Sequence, residues 1–264
     1  LDFLEGKFKL NNLRILKQFN GCCFADLDLK QQGVIEDFQL LFYIIQPPTP
    51  ERVKYDIFDR VNRGGTPLNK QEMRNALYRG RCTRMLDKLC CSPEFLIATG
   101  RSINKERMKD QYVVLRAMAF LMLHRGEFKD IPALQYRGDI DDFLARFMVY
   151  VNDNAPEKLI VDYENLFIRC MQISYDLLGE NGFRFSGNGI RRPINMPLFE
   201  ALSYLFSFVP EKIDYTWVSR LILDIESVKE EFDDSRYFSG NIDSTTSVSF
   251  RFDRMDKIIN RIQL

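Results

Sequence analysis

The sequence has one histidine and one tryptophan, no C-x-x-C spacing, no excess of either charge and no apolar stretch long enough to cross a bilayer. A single imidazole, His124, leaves no set of nitrogen ligands for zinc and none of the histidine pairs that a metal-dependent nuclease uses as base and ligand. Six cysteines, at 22, 23, 82, 90, 91 and 170, lack the usual metal-binding spacings, and a secreted disulfide scaffold does not suit so long and apolar a chain, so reduced thiols in a cytoplasmic protein are expected. Lys plus Arg and Asp plus Glu number 37 each, which removes any general attraction to nucleic acid and leaves DNA binding to a local patch. The apolar run over residues 113–123 falls short of the ~20 residues of a membrane span and is interrupted by Arg116. No signal peptide is visible in these residues, and they contain no internal repeat, low-complexity tract or G-x-x-x-x-G-K-[ST] loop.

What remains is a chain of 264 residues, 45% hydrophobic and 28% charged, enough for one large or two ordinary domains with real cores. Its densest feature covers residues 49–80. Thr49 can cap a helix with Pro50 at its first position and Glu51 in its first turn, and Val53, Ile57, Phe58 and Val61 give it an apolar face. Gly64 and Gly65 stop that helix, and Asn69 starts another with Glu72 as its capping-box partner. Arg60, Arg63, Arg74, Arg79, Arg81 and Arg84 crowd this corner. From Arg60 to Lys88 eight basic residues face only Glu72 and Asp87. A tight turn with free amides, a following helix N-terminus and several guanidinium groups suits phosphate. The same pattern also describes a plain helix corner with solvated arginines, and the residues alone leave both readings open.

The stretch from Leu1 to about Arg79 resembles the GmrSD restriction-enzyme N-terminal family, a variant of the ParB-like nucleotide-binding fold. The resemblance rests on the opening Leu1-Asp2-Phe3-Leu4-Glu5-Gly6-Lys7-Phe8, on a hydrophobic strand before Thr49-Pro50, and on the box Asn62-Arg63-Gly64-Gly65-Thr66-Pro67-Leu68-Asn69 with Glu72, Arg74 and Asn75 behind it. It continues more weakly through residues 104–116, 179–183, 191–202 and 244–251. The family's Asp-Gly-Gln-Gln-Arg motif is not in the sequence, and the resemblance implies that a segment of roughly a hundred residues carrying it precedes Leu1. It implies a nucleotide-binding or nucleoside-triphosphate-hydrolysing sensor of a bacterial anti-phage system that restricts modified DNA, with a nuclease partner and with Mg²⁺ assisting on a nucleoside triphosphate. Asn62, Arg63, Gly64, Gly65 and Thr66 are the expected phosphate contacts, with Arg60 and Arg74 second. A non-catalytic DNA- or protein-binding regulatory module is the alternative.

The expected fold is mainly α (α+β), with a remnant of a small ParB-like α/β domain over residues 1–80 and a helical domain over 81–264. An extended element near residues 8–10, a helix over 29–37 and a strand over 40–45 make up the first part. Helices are expected at about 82–91, 110–124, 140–150, 157–178, 196–208, 215–232 and 250–262. Residues 181–192, with glycines at 182, 187 and 189 beside Arg184, Arg191 and Arg192, form a basic loop before a helix capped by Asn195. Arg79, Arg81, Arg84, Arg191 and Arg192 are therefore candidate DNA contacts. Residues 239–249, rich in Ser and Thr, read as a loop. Asp139, Asp141 and Asp142 read as helix capping and dipole compensation, so no metal site is expected. His124 reads as a helix-terminal residue interacting with the dipole.

Overall fold

The computed structural model describes residues 2–39, 44, 53, 57–58, 60, 67–186, 191–210, 215–238 and 240–262. The chain divides into two compact units, Leu1–Lys54 and Tyr55–Leu264. The boundary expected at residue 80 thus lies within the second unit. Among the described residues the secondary structure is entirely helical.

In the first unit, α1 (Leu29–Glu36) begins at Asp28, whose carboxylate accepts from the Gln31 amide at 2.8 Å while Gln31 Oε1 accepts from the Asp28 amide. Phe3 lies 5.5 Å from Phe8 and 5.9 Å from Phe24, centroid to centroid. Residues 8–10 form no strand, although the Leu10 amide donates to Cys22 O and its carbonyl accepts from Gly21 N. The strand expected over 40–45 lies outside the described residues apart from Ile44, which is exposed. Val53, Ile57, Phe58 and Arg60 are helical as expected, but Val53 and Ile57 remain 42% and 39% exposed, so those two positions of the presumed apolar face are not core.

The second unit is built from α2 (Lys70–Leu77), α3 (Arg81–Cys90), α4 (Pro93–Ala98), α5 (Lys109–His124), α6 (Ile140–Asp153), α7 (Glu157–Leu178), α8 (Met196–Phe206), α9 (Tyr215–Asp233) and α10 (Thr245–Ile262). Local chemistry sets most starts. Asn69 Oδ1 accepts from the amides of Gln71 and Glu72, Asp139 Oδ1 from those of Asp141 and Asp142, and Asn195 Oδ1 from that of Leu198. Two elements depart from expectation. The short α4 is capped by Ser92 with proline at its first position. Helix α10 starts at Thr245, because Ser244 Oγ accepts from the Ser247 amide and turns the Ser/Thr segment into a helix start.

Helix α5 is buried on nearly every face, with residues 113–122 all inside, and α8 is buried over 197–206. A helix apolar all round must be covered all round. Accordingly α5 packs on α2, α3, α6, α7 and α8, while α8 also meets α7 and α10.

A charged knot is buried where α5, α8 and α10 meet. Arg116, Glu200 and Arg251 are at most 1% exposed. Glu200 accepts from Arg116 Nε through one oxygen and from Arg251 Nη2 at 3.1 Å through the other. Arg116 also grips Asp243 through Nη2 at 2.6 Å, and Arg251 Nη1 donates to Ile242 O. Burial opposes the Arg116 charge, but Glu200 and Asp243 overcome it and hold the guanidinium protonated. Arg251, on the first turns of α10, is thus a core residue.

Replacing Glu200 by Gln leaves two buried guanidinium groups sharing no carboxylate, and the cost is expected to be on the order of 3–5 kcal/mol. Urea unfolding measures it. A loss below about 1 kcal/mol, an ordinary surface value, would remove the knot from its central place.

Candidate functional site

The start of α2 follows directly on the residue 62–66 run. Asn62, Arg63, Gly64, Gly65 and Thr66 themselves lie outside the described residues. Beyond them, Asn69 and Glu72 form the expected reciprocal cap, with Glu72 Oε2 accepting from the Asn69 amide at 2.6 Å. The same carboxylate accepts from Arg107 Nη2 at 2.9 Å, and these bonds, the one from Arg107 first, hold Glu72 below its ordinary pKa of 4.5. Arg107 also donates to Pro67 O at 2.6 Å, and its own carbonyl accepts from Asn69 Nδ2 at 2.7 Å. Arg107 and Met108 both have left-handed backbone, φ 57° and 58°. Such non-glycine geometry costs energy and persists only where surrounding bonds over-determine it.

Arg74 projects from the second turn of α2 and is 1% exposed. Its Nη1 donates to Asp141 Oδ1 at 2.8 Å, its Nε to Gln71 Oε1 at 3.1 Å, and its guanidinium carbon lies 5.2 Å from the Tyr112 ring centroid. Nη2 is buried without a hydrogen-bond partner. Burial works to raise the Asp141 carboxyl, but hydrogen bonds from Lys70 and Arg74 prevail and hold it low. A cavity of about 510 Å³ opens here, lined by Arg74, Lys70, Arg107 and Lys109 against one acid, Glu106, with Tyr112 as its aromatic wall. The sequence pattern points to Arg74 but not to Arg107, Met108 or Tyr112, which reach α2 from more than thirty residues away. Asp141, a helix-start charge in the sequence, is here the carboxylate that pairs with Lys70 and Arg74.

The other arginines separate into distinct roles. Arg60 is helical and exposed, and Arg79 and Arg84 are exposed. Arg81 donates to Val151 O in the last turn of α6 at 2.6 Å and to Ala155 O just beyond it at 2.5 Å, and pairs with Glu157, so it caps the end of α6 and the turn that follows. Lys88 pairs with Glu164 at 2.5 Å. The eight-to-two basic excess in the sequence is thus partly neutralised in space by Asp141, Glu157 and Glu164 from α6 and α7. Arg191 pairs with Glu180 at 2.7 Å, and Arg192 with Asp233. Among the acids at the α6 start, Asp139 caps and Asp142 pairs with Arg146 at 2.7 Å, and no cluster of three metal-ligating side chains occurs among the described residues.

His124 does end α5, but not as a charge on the dipole. Its ring stacks on Phe252 with centroids 3.6 Å apart, and burial, aided by Arg251, pushes its pKa down to about 3, so it is neutral. The unfolded chain takes up this proton near 6.5 and the folded chain only near 3. Stability from this residue is therefore complete above pH 6.5 and falls by about 1.4 kcal/mol per pH unit below it. His124→Phe, which keeps a ring against Phe252, is expected to flatten the pH dependence of the unfolding free energy between pH 6.5 and 5; an unchanged slope would place the protonation elsewhere.

Comparison with protein-family models, curated proteins and solved structures returns no match.

Proposed function

We propose that the chain is a nucleotide-binding, nucleoside-triphosphate-hydrolysing sensor component of a GmrSD-type system that restricts modified foreign DNA in the bacterial cytoplasm. The observation that carries this reading is Arg74: a buried guanidinium, one nitrogen unpartnered, beside a cationic cavity at the start of the helix that follows the Asn62–Thr66 box. An unpaired buried donor is costly and is relieved by an acceptor such as a phosphate oxygen. The positive end of the α2 dipole favours the same charge. The resemblance supplies the rest: the phosphate role of Asn62, Arg63, Gly64, Gly65 and Thr66, the ParB-like remnant within residues 1–80, and a nuclease partner.

Mg²⁺ bound with the nucleotide would supply neutralisation of the phosphate charge. The lining supplies one carboxylate, Glu106, which would hold the ion together with nucleotide phosphates and water. The chain's part is to hold the phosphates, with Arg74 on the cavity wall and its guanidinium carbon 5.2 Å from the Tyr112 ring centroid. No membrane-crossing helix occurs among the described residues, and all six cysteines are free, which accords with a reducing cytoplasm.

Isothermal titration of the full chain with Mg-ATP and Mg-GTP tests this. Arg63→Ala is expected to abolish binding and Arg74→Met to weaken it about tenfold, the value of one charge-assisted bond. Unchanged affinity in both variants would sink the assignment. Binding of DNA instead, falling steeply with salt, would transfer the arginines to the non-catalytic reading.

A further inference from the structure

A second cavity, of about 700 Å³, lies where the end of α7, the turn Gly179–Asn181 and residues 184–186 and 191–192 meet α9, and it shares no lining residue with the α2 cavity. At its base is Arg184, 4% exposed. Its Nε donates to Glu180 O at 3.2 Å, its Nη1 to Arg192 O at 2.5 Å, and its Nη2 to Thr99 O at 3.2 Å and to Ser102 Oγ. Every acceptor is neutral. Four of the five guanidinium donors are used, leaving one donor and the whole charge.

This distinguishes Arg184 from the other buried arginines. Arg74 pairs with Asp141, Arg116 with Glu200 and Asp243, and Arg251 with Glu200, whereas Arg184 has no carboxylate within ion-pair distance among the described residues. A buried cation without a counterion is unfavourable. Its surroundings sharpen the imbalance. Lys229, 4% exposed, approaches from α9, bonded to Glu226 at 2.9 Å, and Arg191 stands near the mouth. The lining holds four cations, Arg184, Arg191, Arg192 and Lys229, against Glu180 and Glu226, a net of +2 (4 − 2). Burial, and after it the charge of Arg191, pushes the Arg184 guanidinium below its ordinary pKa. Arg191 is held in place: Glu180 grips it at 2.7 Å, and Gly100, at φ +58°, leaves it the room that a β-carbon would fill. Phe185 adds an apolar wall, with the Arg192 guanidinium 5.4 Å from its ring centroid.

We infer that this cavity is a separate binding site for a phosphate-bearing small molecule, its anion meeting Arg184, Arg191 and Lys229 and its ring or apolar part lying on Phe185. The volume falls in the range of about 300–1,000 Å³ typical of ligand sites, larger than a phosphate ion needs and suited to a mononucleotide. The site does not rest on the nucleotide reading of the α2 cavity.

The test is isothermal titration of the full chain carrying Arg63→Ala, which silences the first site, with inorganic pyrophosphate and with ADP. Saturable binding is expected, tighter for ADP. Adding Arg191→Ala or Lys229→Met is expected to weaken it tenfold or more while circular dichroism and the thermal midpoint hold. Arg191 is exposed at the mouth and Lys229→Met removes a buried charge, so both variants are expected to fold. Absence of saturable binding, or equal affinity in both added variants, overturns the site. Single-stranded DNA binding in preference to pyrophosphate, with steep salt dependence, overturns the small-molecule reading.

Discussion

Glu200 is the constraint on which the rest of the second unit depends. Its two oxygens are shared between a guanidinium from α5 and one from α10, so a single side chain fixes three helices at one depth. Apolar packing alone tolerates sliding and repacking, whereas a buried ion triad has one satisfied geometry and strongly unfavourable alternatives. Asp243 extends the same logic outward: it binds Arg116 through its side chain and accepts from Tyr136 through its backbone, tying the segment before α10 to the core. The neutral His124 packed on Phe252 of α10 lies along the same seam.

With α5 fixed, the candidate site follows. Tyr112 stands one turn before Arg116 on α5, and its ring lies under both Arg74 and Arg116. The α2 cavity is therefore anchored to the charged knot through one aromatic residue. Arg107 and Met108, in strained backbone just ahead of α5, bring Arg107 across to Glu72 and Pro67. The proposed phosphate site would thus sit on rigid support with strained backbone at its rim.

Much of this was legible in the sequence, and what was not has a common cause. Helix starts at Asn69, Asp139 and Asn195 were readable because capping is local, and α7 was bounded correctly because its periodicity is long. The short α4 escaped because six residues carry little periodic signal, and the start of α10 because Ser and Thr serve loops and caps alike. Charge partnerships were illegible. Arg74 with Asp141, Arg81 with the end of α6 and Arg116 with Glu200 join residues 67 to 84 positions apart, so a local count of basic residues overstated the free positive surface. Arg184 was visible as part of a basic loop, but its lack of a counterion appears only once its neighbours are placed.

The most direct measurement of the central claim is a nuclear magnetic resonance titration of isotope-labelled arginine side chains with a non-hydrolysable Mg-nucleoside triphosphate, the Arg74 signals assigned through Arg74→Lys. The account predicts that the Arg74 guanidinium signals shift and saturate with the ligand while those of Arg116 and Arg251 stay fixed. Nucleotide binding that leaves the Arg74 signals in place would contradict it.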